Sequence, residues 1–388
     1  MSYLPCGQYF ESYTEDQKWW RTTFIKGKMV VMVILLLIFP FIVGREWLSV
    51  AHNICYYILA GLGVQLLIGY CGQITLGHAA FVAVGGYCSA MMVLFIPWPK
   101  FVVDIGLAYP ISMVCAAFLA GLWSVLFGLP SARVKGFYLI MTTMAAQWVT
   151  LELVITQYVS QVGGRGQAFS LPDAIVIGPF SLDSDEKIYY FGVLLVALCL
   201  LAMGNMLRAK TGRAWIAIRD NDIAAETMGV NIVEYKLKAF FVAGFFGGIA
   251  GAYWITTSLS VSPEHYSWFY SLLWVGIILI GGVGNIQGLV FGSAFIVLVF
   301  KFLEIGVMGV SDYLDDPSSS PLLSWITVNA PWVASKIRWV LAKMVFFKES
   351  AFGLAVIFFL IYEPNGLAYR YWQLKNYFNL WPFSYTGK

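Results

Sequence analysis

Apolar runs long enough to cross a lipid bilayer alternate with short polar connections along almost the whole chain. A transmembrane helix needs about 20 consecutive apolar residues, and somewhat fewer where neighbouring helices bury it. Because a helix satisfies its own backbone hydrogen bonds in lipid, the pattern indicates an all-α polytopic membrane protein. About ten spans are predicted, at residues 29–43, 50–70, 74–96, 105–129, 137–159, 188–207, 238–259, 270–280, 286–305 and 351–362.

The composition agrees with a bilayer as the solvent. Of 388 residues, 60% are hydrophobic and 12% are charged, and the mean hydropathy is +0.75. Soluble domains carry roughly twice that charged share, so a water-soluble fold is excluded. The net charge of +3 is small and no basic patch with base-reading side chains stands out, so no nucleic-acid partner is expected.

The distribution of lysine and arginine predicts the orientation of the spans. Arg133 and Lys135 mark one connection and a larger basic group marks the connection 208–237, which places both in the cytoplasm. The acidic connections 160–187 and 306–331 then form external loops. The predicted organisation is a cytoplasmic N-terminal extension, a transmembrane domain and a cytoplasmic tail, at residues 1–28, 29–368 and 369–388.

Two segments need separate interpretation. The first span follows a long polar lead and precedes no small-residue cleavage site, so it is predicted to be an uncleaved anchor. Residues 332–348 intersperse lysine and arginine with Trp, Val and Leu. This favours an amphipathic helix at the membrane surface over another span.

The cytoplasmic connection contains a short predicted helix, in the stretch GRAWIAIRDNDIAAETMGVNIVEYK. Asp220 or Asn221 can cap its start, Asp222 suits the positive end of the helix, and Gly229 is placed to stop it. About two turns result, with Ile223, Ala224 and Met228 exposed. Because so short a helix is marginal alone in water, we expect it to dock into a groove of a partner, although an ordinary capped connector has the same pattern.

Six segments of the chain resemble, in order, the M-type permease subunits of ATP-binding-cassette importers for branched-chain amino acids. The likeness covers residues 61–368, and residues 1–28 and 332–348 depart from it. The segments are GYCGQITLGHAAFVAVGGY, VKGFYLIMTTMAAQWV, VGGRGQ, GRAWIAIRDNDIAAETMGVNIVEYKLKAFFVAGFFGGIAGA, GGVGNIQGLVFGSAF and EPNGLA.

The resemblance implies a function and a set of partners. In that family the cytoplasmic connection seats on the ATPase, and Ala224, Ala225 and Gly229 occupy the short-helix positions of this contact. The implied partners are two ATPase subunits, a second homologous permease and an external substrate-binding protein at the bacterial inner membrane. The implied cargo is a branched-chain amino acid, while relatives of the same build carry urea, short amides or aromatic acids. The coupling residues are then Arg213, Arg219, Asp222, Ala224, Ala225, Glu226 and Gly229.

No residues for ATP hydrolysis or other catalysis are recognisable. The chain contains no G-x-x-x-x-G-K-[ST] phosphate loop, and its glycine-rich stretches do not follow a predicted strand of a βαβ unit. The three histidines have no nucleophile arrangement around them, and the six cysteines include no C-x-x-C pair for a metal. We therefore expect no enzyme activity, metal or cofactor in this chain, and ATP and Mg²⁺ on the partner ATPases.

Two glycine-rich clusters, the first at residues 69–81 and the second at residues 281–288, interrupt the apolar pattern at membrane depth. Non-helical backbone there is tolerated only where it is buried in protein or lines a watery cavity, and transporters use such breaks to meet substrate. We interpret the clusters as candidate counterparts in a weak inverted repeat. The alternative is close helix packing, favoured for the Gly-x-x-x-Gly pairs 244/248, 247/251, 284/288 and 288/292. The candidate pathway residues are Gly72, Gln73, Thr75, His78, Asn285 and Gln287.

Two other classes of function remain open at this stage. A secondary transporter or channel usually needs buried carboxylates for ion coupling, and intramembrane charge is sparse here. Glu152 is the clearest intramembrane carboxylate, whereas Lys301 and Glu304 lie three residues apart on one helix and are predicted to pair. A membrane-embedded enzyme is disfavoured by the absence of a nucleophile or metal cluster.

Overall fold

The structure, a computed structural model, describes Ser12 and residues 23–132, 136–159, 169–171, 175–177, 180–315 and 344–380. Helices dominate this part of the chain. α2 and α6 continue as π-helical turns, Gln65–Tyr70 and Val149–Val159, and a 3₁₀ turn spans Pro263–Tyr266. The helices are α1 (Thr23–Ile42), α2 (Arg45–Val64), α3 (His78–Phe95), α4 (Lys100–Asp104), α5 (Ala108–Ala132), α6 (Phe137–Trp148), α7 (Asp185–Arg208), α8 (Lys210–Asp220), α9 (Asp222–Thr227), α10 (Ile232–Ser258), α11 (Trp268–Gly281), α12 (Ile286–Asp315), α13 (Met344–Tyr362) and α14 (Leu367–Leu380).

The predicted all-α polytopic fold is confirmed. Seven helices in the described ranges are long and apolar enough to cross a membrane, and an eighth is added if α13 and α14, bent by 45° at 363–366, count as one span. The predicted number of ten is therefore approximate. The predicted span 270–280 lies in α11, which has 14 residues and reaches about 21 Å, less than the roughly 30 Å of a bilayer core. The seven helical segments that are long and apolar enough to cross a membrane are Arg45–Tyr70, His78–Phe95, Ala108–Pro130, Phe137–Gln157, Asp185–Arg208, Ile232–Ser258 and Ile286–Gly306.

Helix α1 corresponds to the predicted first span. It is 20 residues long, and its large apolar side chains from Val30 to Ile42 are almost all exposed, including Phe41 and Ile42 at 78%. Exposed apolar side chains on this scale are stable only against lipid or another protein. The helix therefore lies at the periphery of the bundle.

The core of the bundle is α10 packed against α2, α3 and α5. Close approach is possible because α10 places glycines on its contact faces, with Gly248 against the Cα of Ala117 and Gly251 against the carbonyl of Val82. Two hydroxyl groups that enter this contact are paired: the Ser124 hydroxyl donates to the carbonyl of Phe240 at 2.6 Å, and the Tyr109 hydroxyl donates to that of Ala252 at 2.7 Å. Dense packing around α10 fixes the positions of the surrounding helices.

Two small antiparallel sheets occur in the described residues. β1 (Phe169–Ser170) pairs with β4 (Ser260–Val261), in the register Phe169 with Val261. β2 (Val176–Ile177) pairs with β3 (Phe180–Ser181). The β1–β4 pair joins the predicted external loop 160–187 to the chain just after α10, whereas α8 and α9 precede α10. The predicted external loop and the predicted cytoplasmic connection thus lie at opposite ends of a 27-residue helix, about 40 Å long.

Several elements meet at the end of the bundle that carries α8. The Lys28 ammonium near the start of α1 contacts the Tyr371 hydroxyl near the start of α14. A Cβ at Gly366, just before α14, would lie 2.5 Å from the backbone nitrogen of Gly282. The predicted cytoplasmic tail is therefore helical from Leu367 to Leu380 and packs beside the second glycine cluster.

Some predicted features lie outside the described residues. These are most of the N-terminal extension 1–28, Arg133 and Lys135, the stretch VGGRGQ, residues 316–331 of the second external loop, residues 332–343 of the predicted amphipathic helix, and the last eight residues of the tail. Residues 344–348 of that amphipathic segment belong to α13.

Candidate functional site

The predicted short helix in the connection 208–237 is present as α9. The side-chain oxygen of Asn221 accepts the N–H of Ala224 at 3.1 Å, so Asn221, and not Asp220, is the cap. The helix ends at Thr227. Gly229, two residues later, has a φ of +84°, the left-handed conformation that favours glycine, and its N–H donates to the carbonyl of Glu226 at 2.9 Å. Both ends of this six-residue helix are therefore fixed by local hydrogen bonds.

Helix α9 turns an apolar face to solvent. Ile223 is 67% exposed and Met228 is 85% exposed, and Ala224 between them is also exposed. Arg213, Glu226 and Gly229 are exposed as well. Two large apolar side chains on so small a polar helix form an unpartnered surface of the kind that docks against another protein.

Ala225 differs from the expectation that it takes part in a surface contact. It is 4% exposed and faces the protein, and its carbonyl accepts the N–H of Val230 at 3.0 Å. The reason is the helical period: residue 225 lies on the opposite side of α9 from Ile223, whereas Met228 follows the last helical residue, Thr227. In this chain Ala225 packs α9 onto its support, and Ala224 is the small residue that faces outward.

Helix α8 supports α9 and is anchored to the membrane helices. The Trp215 side chain is 1% exposed, and its indole N–H donates to the carbonyl of Tyr235 in α10 at 2.8 Å. Gly212 allows contact with α7, because a Cβ there would lie 2.3 Å from the Cα of Leu207. The connection 208–237 is therefore a fixed platform and not a loose loop.

Arg219, at the last turn of α8, reaches into the first glycine cluster. One terminal nitrogen of its guanidinium donates to the carbonyl of Gly69 at 2.8 Å. The other terminal nitrogen and Nε donate to a carboxylate oxygen of Asp220, at 3.0 and 3.1 Å. Charge-assisted hydrogen bonds of this type are roughly twice as strong as neutral ones.

The first glycine cluster breaks the helix between α2 and α3 at residues 71–77. Gly72 has a φ of +71°, and the N–H of Gln73 donates to the carbonyl of Leu67 at 2.7 Å, which closes the end of the π-helical turn. Gly77 fits against α6 only because it lacks a side chain: a Cβ would lie 1.9 Å from the carbonyl oxygen of Thr143. The break is packed against protein on this side, as irregular backbone at membrane depth must be unless it lines water.

The second cluster, at 281–288, contacts the first. The Gln65 side-chain nitrogen donates to the carbonyls of Gly282 at 3.3 Å and Asn285 at 3.0 Å. A Cβ at Gly69 would lie 2.7 Å from the backbone nitrogen of Gly284. The structure therefore brings together two clusters that lie more than 200 residues apart in the chain.

The six candidate pathway residues do not share one surface. Gln73, Thr75 and His78 are buried, whereas Gly72 and Gln287 are exposed and Asn285 is half-buried. The His78 ring packs edge-on against Phe81 and Trp274. The Asn285 side chain accepts the N–H of Gln287 at 3.0 Å, which is a turn contact. In this arrangement the buried members lie within the bundle and the others lie near α8, so a route lined by all six stays a prediction.

Four charged side chains form a network at the other end of α2. The ammonium group of Lys301 lies 3.7 Å from a Glu304 carboxylate oxygen, which confirms the predicted pair, and 3.3 Å from one of Glu46. The Lys348 ammonium lies 3.4 Å from the other Glu304 oxygen. This network joins α2, α12 and α13, and its side chains hold opposite charges together in a half-buried setting.

The cysteines in the described residues form no disulfide, and Cys55, Cys71 and Cys199 are buried in the apolar core. Among the described residues, no group of three or more His, Cys, Asp or Glu could hold a metal ion.

Comparison with known proteins identifies relatives. The family described as the branched-chain amino acid transport system permease component matches residues 47–328. The high-affinity branched-chain amino acid permease protein LivM of Escherichia coli K12 is 26% identical over 279 residues, 66% of this chain and 63% of its own length. The probable LivM of Methanocaldococcus jannaschii is 25% identical over 344 residues, 80% of this chain and 90% of its own. The guanosine ABC transporter permease protein NupQ of Bacillus subtilis is 22% identical over 197 residues, 48% of this chain and 59% of its own. No solved structure matches the chain.

Proposed function

Because the chain belongs to the permease-component family of the branched-chain amino acid transport system, we propose that it forms half of the membrane pathway of an ATP-binding-cassette importer. Energy comes from separate ATPase subunits that bind ATP and Mg²⁺. A second homologous permease completes the pathway, and an external binding protein delivers the substrate. The protein lies in the bacterial inner membrane with both termini in the cytoplasm.

The observation that carries this proposal is the geometry of α9. A short capped helix is held on a platform that is anchored to α10, and it presents Ile223 and Met228 to solvent. A groove in an ATPase that accepts these two side chains would move the platform whenever the ATPase closes. This is interaction by a helix in a groove, in which a few apolar anchors give most of the affinity.

The docking surface is tested with Ile223→Asp and Met228→Asp. Each variant places a charge in the groove, and we expect co-purification of the ATPases to weaken by roughly tenfold or more. Val176→Asp is the matched control, because Val176 is a 47% exposed apolar residue of β2, in the predicted external loop 160–187. ATPase binding that is unchanged in both α9 variants would rule out α9 as the docking helix.

The orientation is tested by cysteine labelling in a background from which the six native cysteines have been removed. An impermeant maleimide added outside should label Ser184→Cys, at the cap of α7, and should not label Asn231→Cys, at the cap of α10. The motive is the asymmetry of lysine and arginine. The reverse labelling pattern would contradict both the topology and the cytoplasmic position of α9.

The proposed substrate is a branched-chain amino acid. Two of the relatives carry that substrate in their names, whereas NupQ is named for guanosine. A zwitterion needs little fixed charge on its route, and the half-buried lysine Lys301 is paired with two carboxylates. The second candidate is the same importer with urea, a short amide or an aromatic acid as cargo.

Uptake in cells that lack the gene distinguishes these substrates. Labelled leucine uptake should fall, while urea, benzoate and guanosine uptake should stay at the parental level. Lost urea uptake with unchanged leucine uptake would contradict the amino-acid assignment and leave the importer architecture intact.

A further inference from the structure

Arg219 connects three parts of the protein that are separate in sequence. It lies in the last turn of α8, two residues before Asn221, which caps α9. Its guanidinium donates to the carbonyl of Gly69, at the end of the π-helical turn that follows α2. Nε and the other terminal nitrogen are held by Asp220. Asp220 therefore orients the guanidinium group of Arg219, and one terminal nitrogen is left to donate to the carbonyl of Gly69.

The Gly69 carbonyl is a group that needs such a partner. Carbonyls at the end of a helix lack intrahelical donors. The carbonyls of Leu66 and Leu67 receive the N–H groups of Cys71 and Gln73, at 3.0 and 2.7 Å, when the chain turns back into residues 71–77. The Gly69 carbonyl receives Arg219 instead. A side chain of the solvent-facing platform thus completes the end of a π-helical turn, a form often found at functional sites.

The second glycine cluster lies against the same guanidinium. A Cβ at Gly284 would lie 3.1 Å from the Arg219 nitrogen that binds Gly69, and 3.1 Å from the Gly69 carbonyl oxygen itself. A Cβ at Gly72 would lie 3.1 Å from Cγ of Arg219. Three glycines therefore surround one arginine side chain, and their lack of side chains makes room for it.

We propose that Arg219 is a positioning residue that links the docking helix α9 mechanically to both glycine clusters. Movement of α8 and α9 pulls on the Gly69 carbonyl and, through the Gly69–Gly284 contact, on the start of α12. The two-state element is the break at residues 65–77, where α2 and α3 are joined by a π-helical turn and extended chain in place of a continuous helix. This inference rests on the proposed function, because it requires an ATPase that moves α9.

The test uses the assembled importer reconstituted in lipid, with leucine uptake and ATP hydrolysis measured on the same preparation. In Arg219→Gln we expect uptake to fall roughly tenfold, within the usual range of coupling energies, while ATP hydrolysis stays within about twofold of the parent. Arg219→Lys keeps the positive charge but loses the planar guanidinium group that binds Gly69 and Asp220 together, so the variant should transport leucine at an intermediate rate. Arg45→Gln is the matched control, because Arg45 is an exposed arginine paired with Asp185 at the other end of α2.

A second variant breaks the same linkage without changing a charge. Gly69→Ala places a Cβ 2.7 Å from the backbone nitrogen of Gly284 and forces the two clusters apart. It should reproduce the loss of uptake with retained ATP hydrolysis. The same result in both variants is the signature of lost coupling, since loss of assembly would lower hydrolysis and uptake together.

Each outcome decides the inference. Full uptake in Arg219→Gln overturns it, and so does a parallel fall of uptake and hydrolysis in both Arg219→Gln and Arg219→Lys, which would make Arg219 an assembly residue. Failure of the proposed function is separate, because the parental complex itself would then show no ATP-dependent uptake.

Discussion

Glycine serves two different purposes in two regions of this molecule. In the middle of α10, Gly244, Gly248 and Gly251 have ordinary helical backbone, and a Cβ at any of them would lie 2.0 to 2.6 Å from a backbone or side-chain atom of α3 or α5. In the two clusters near α8, Gly72 and Gly284 have φ values of +71° and +76°, and an added Cβ would meet its nearest atom at 3.1 Å. The first group is needed for space, and Gly72 and Gly284 are needed mainly for backbone conformation. Gly77 and Gly281 of the same clusters are needed for space as well, because their Cβ positions lie 1.9 and 2.0 Å from backbone oxygens.

The difference distinguishes the densely packed core around α10 from the two clusters where helices are broken. The α10 glycines let helices approach until backbone touches backbone, which produces a dense and rigid core. The cluster glycines permit breaks in the helices, and breaks are where a membrane helix can change direction. The Gly-x-x-x-Gly pairs predicted to pack do so in α10 and, for Gly288 and Gly292, against α11, whereas Gly284 belongs to the break.

The largest expected effect is on the stability of the α10 core. Gly251→Ala places a Cβ 2.0 Å from the carbonyl oxygen of Val82, so α3 and α10 must separate. We expect a loss of about 3 kcal/mol or more in the free energy of unfolding, at the upper end for overpacked cores. Thermal unfolding of the purified protein in detergent measures it. Gly353→Ala is the control, since nothing lies within 4 Å of its Cβ position in α13, and it should be neutral or more stable by up to about 1 kcal/mol.

A smaller effect on stability, with a clear effect on transport, is expected in the clusters. Gly284→Ala places an L side chain at a φ of +76°, which costs roughly 1–2 kcal/mol, and presses its Cβ against Arg219. The midpoint of thermal unfolding should fall less than in Gly251→Ala, while leucine uptake falls about fivefold. An equal loss of stability in the two variants would erase the distinction between the two groups of glycines.

The smallest effect on stability is expected at Gly229. At this position the backbone conformation favours glycine, whereas the space around the residue would accept a side chain. Its φ is +84°, and nothing lies within 4 Å of its Cβ position. Asn tolerates this conformation, so Gly229→Asn should retain uptake, and Gly229→Ala should lose at most about 1–2 kcal/mol locally at the end of α9. Gly229→Pro cannot adopt this φ and removes the N–H that donates to Glu226, so it should lower uptake with an unchanged midpoint of thermal unfolding. Parental uptake in the proline variant would show that the end of α9 has no part in coupling.

Much of the fold could be predicted from local patterns. Seven of the predicted spans coincide with long apolar helices, because hydrophobic length is a property of each segment alone. The residues that begin and end α9 were predictable because their contacts are local. Asn221 accepts a hydrogen bond from Ala224, and Gly229 donates one to Glu226, each three residues away. The Lys301–Glu304 pair follows from helical spacing, but its further partners Glu46 and Lys348 come from other helices and carry no signal in the sequence.

The candidate site shows the limit of that reasoning. The sequence identified Arg219 as one basic residue of a cytoplasmic connection, and its partner Gly69 lies 150 residues earlier in the chain. It also grouped Ala225 with Ala224, although only the support beneath α9 determines which of two adjacent alanines is buried.

The sequence by itself determined the apolar solvent of this protein, the helices long and apolar enough to cross it, the short helix α9 and the family. These depend on composition and on interactions between residues a few positions apart. Only the tertiary structure decided that the two glycine clusters touch and that Arg219 lies between them and α9. Every residue type has a backbone carbonyl that can accept a hydrogen bond. A glycine that allows close approach likewise places no requirement on the residue type that it contacts. Such contacts leave no mark in the pattern of polar and apolar positions, and only the packing of the helices around α10 brings the partners within reach.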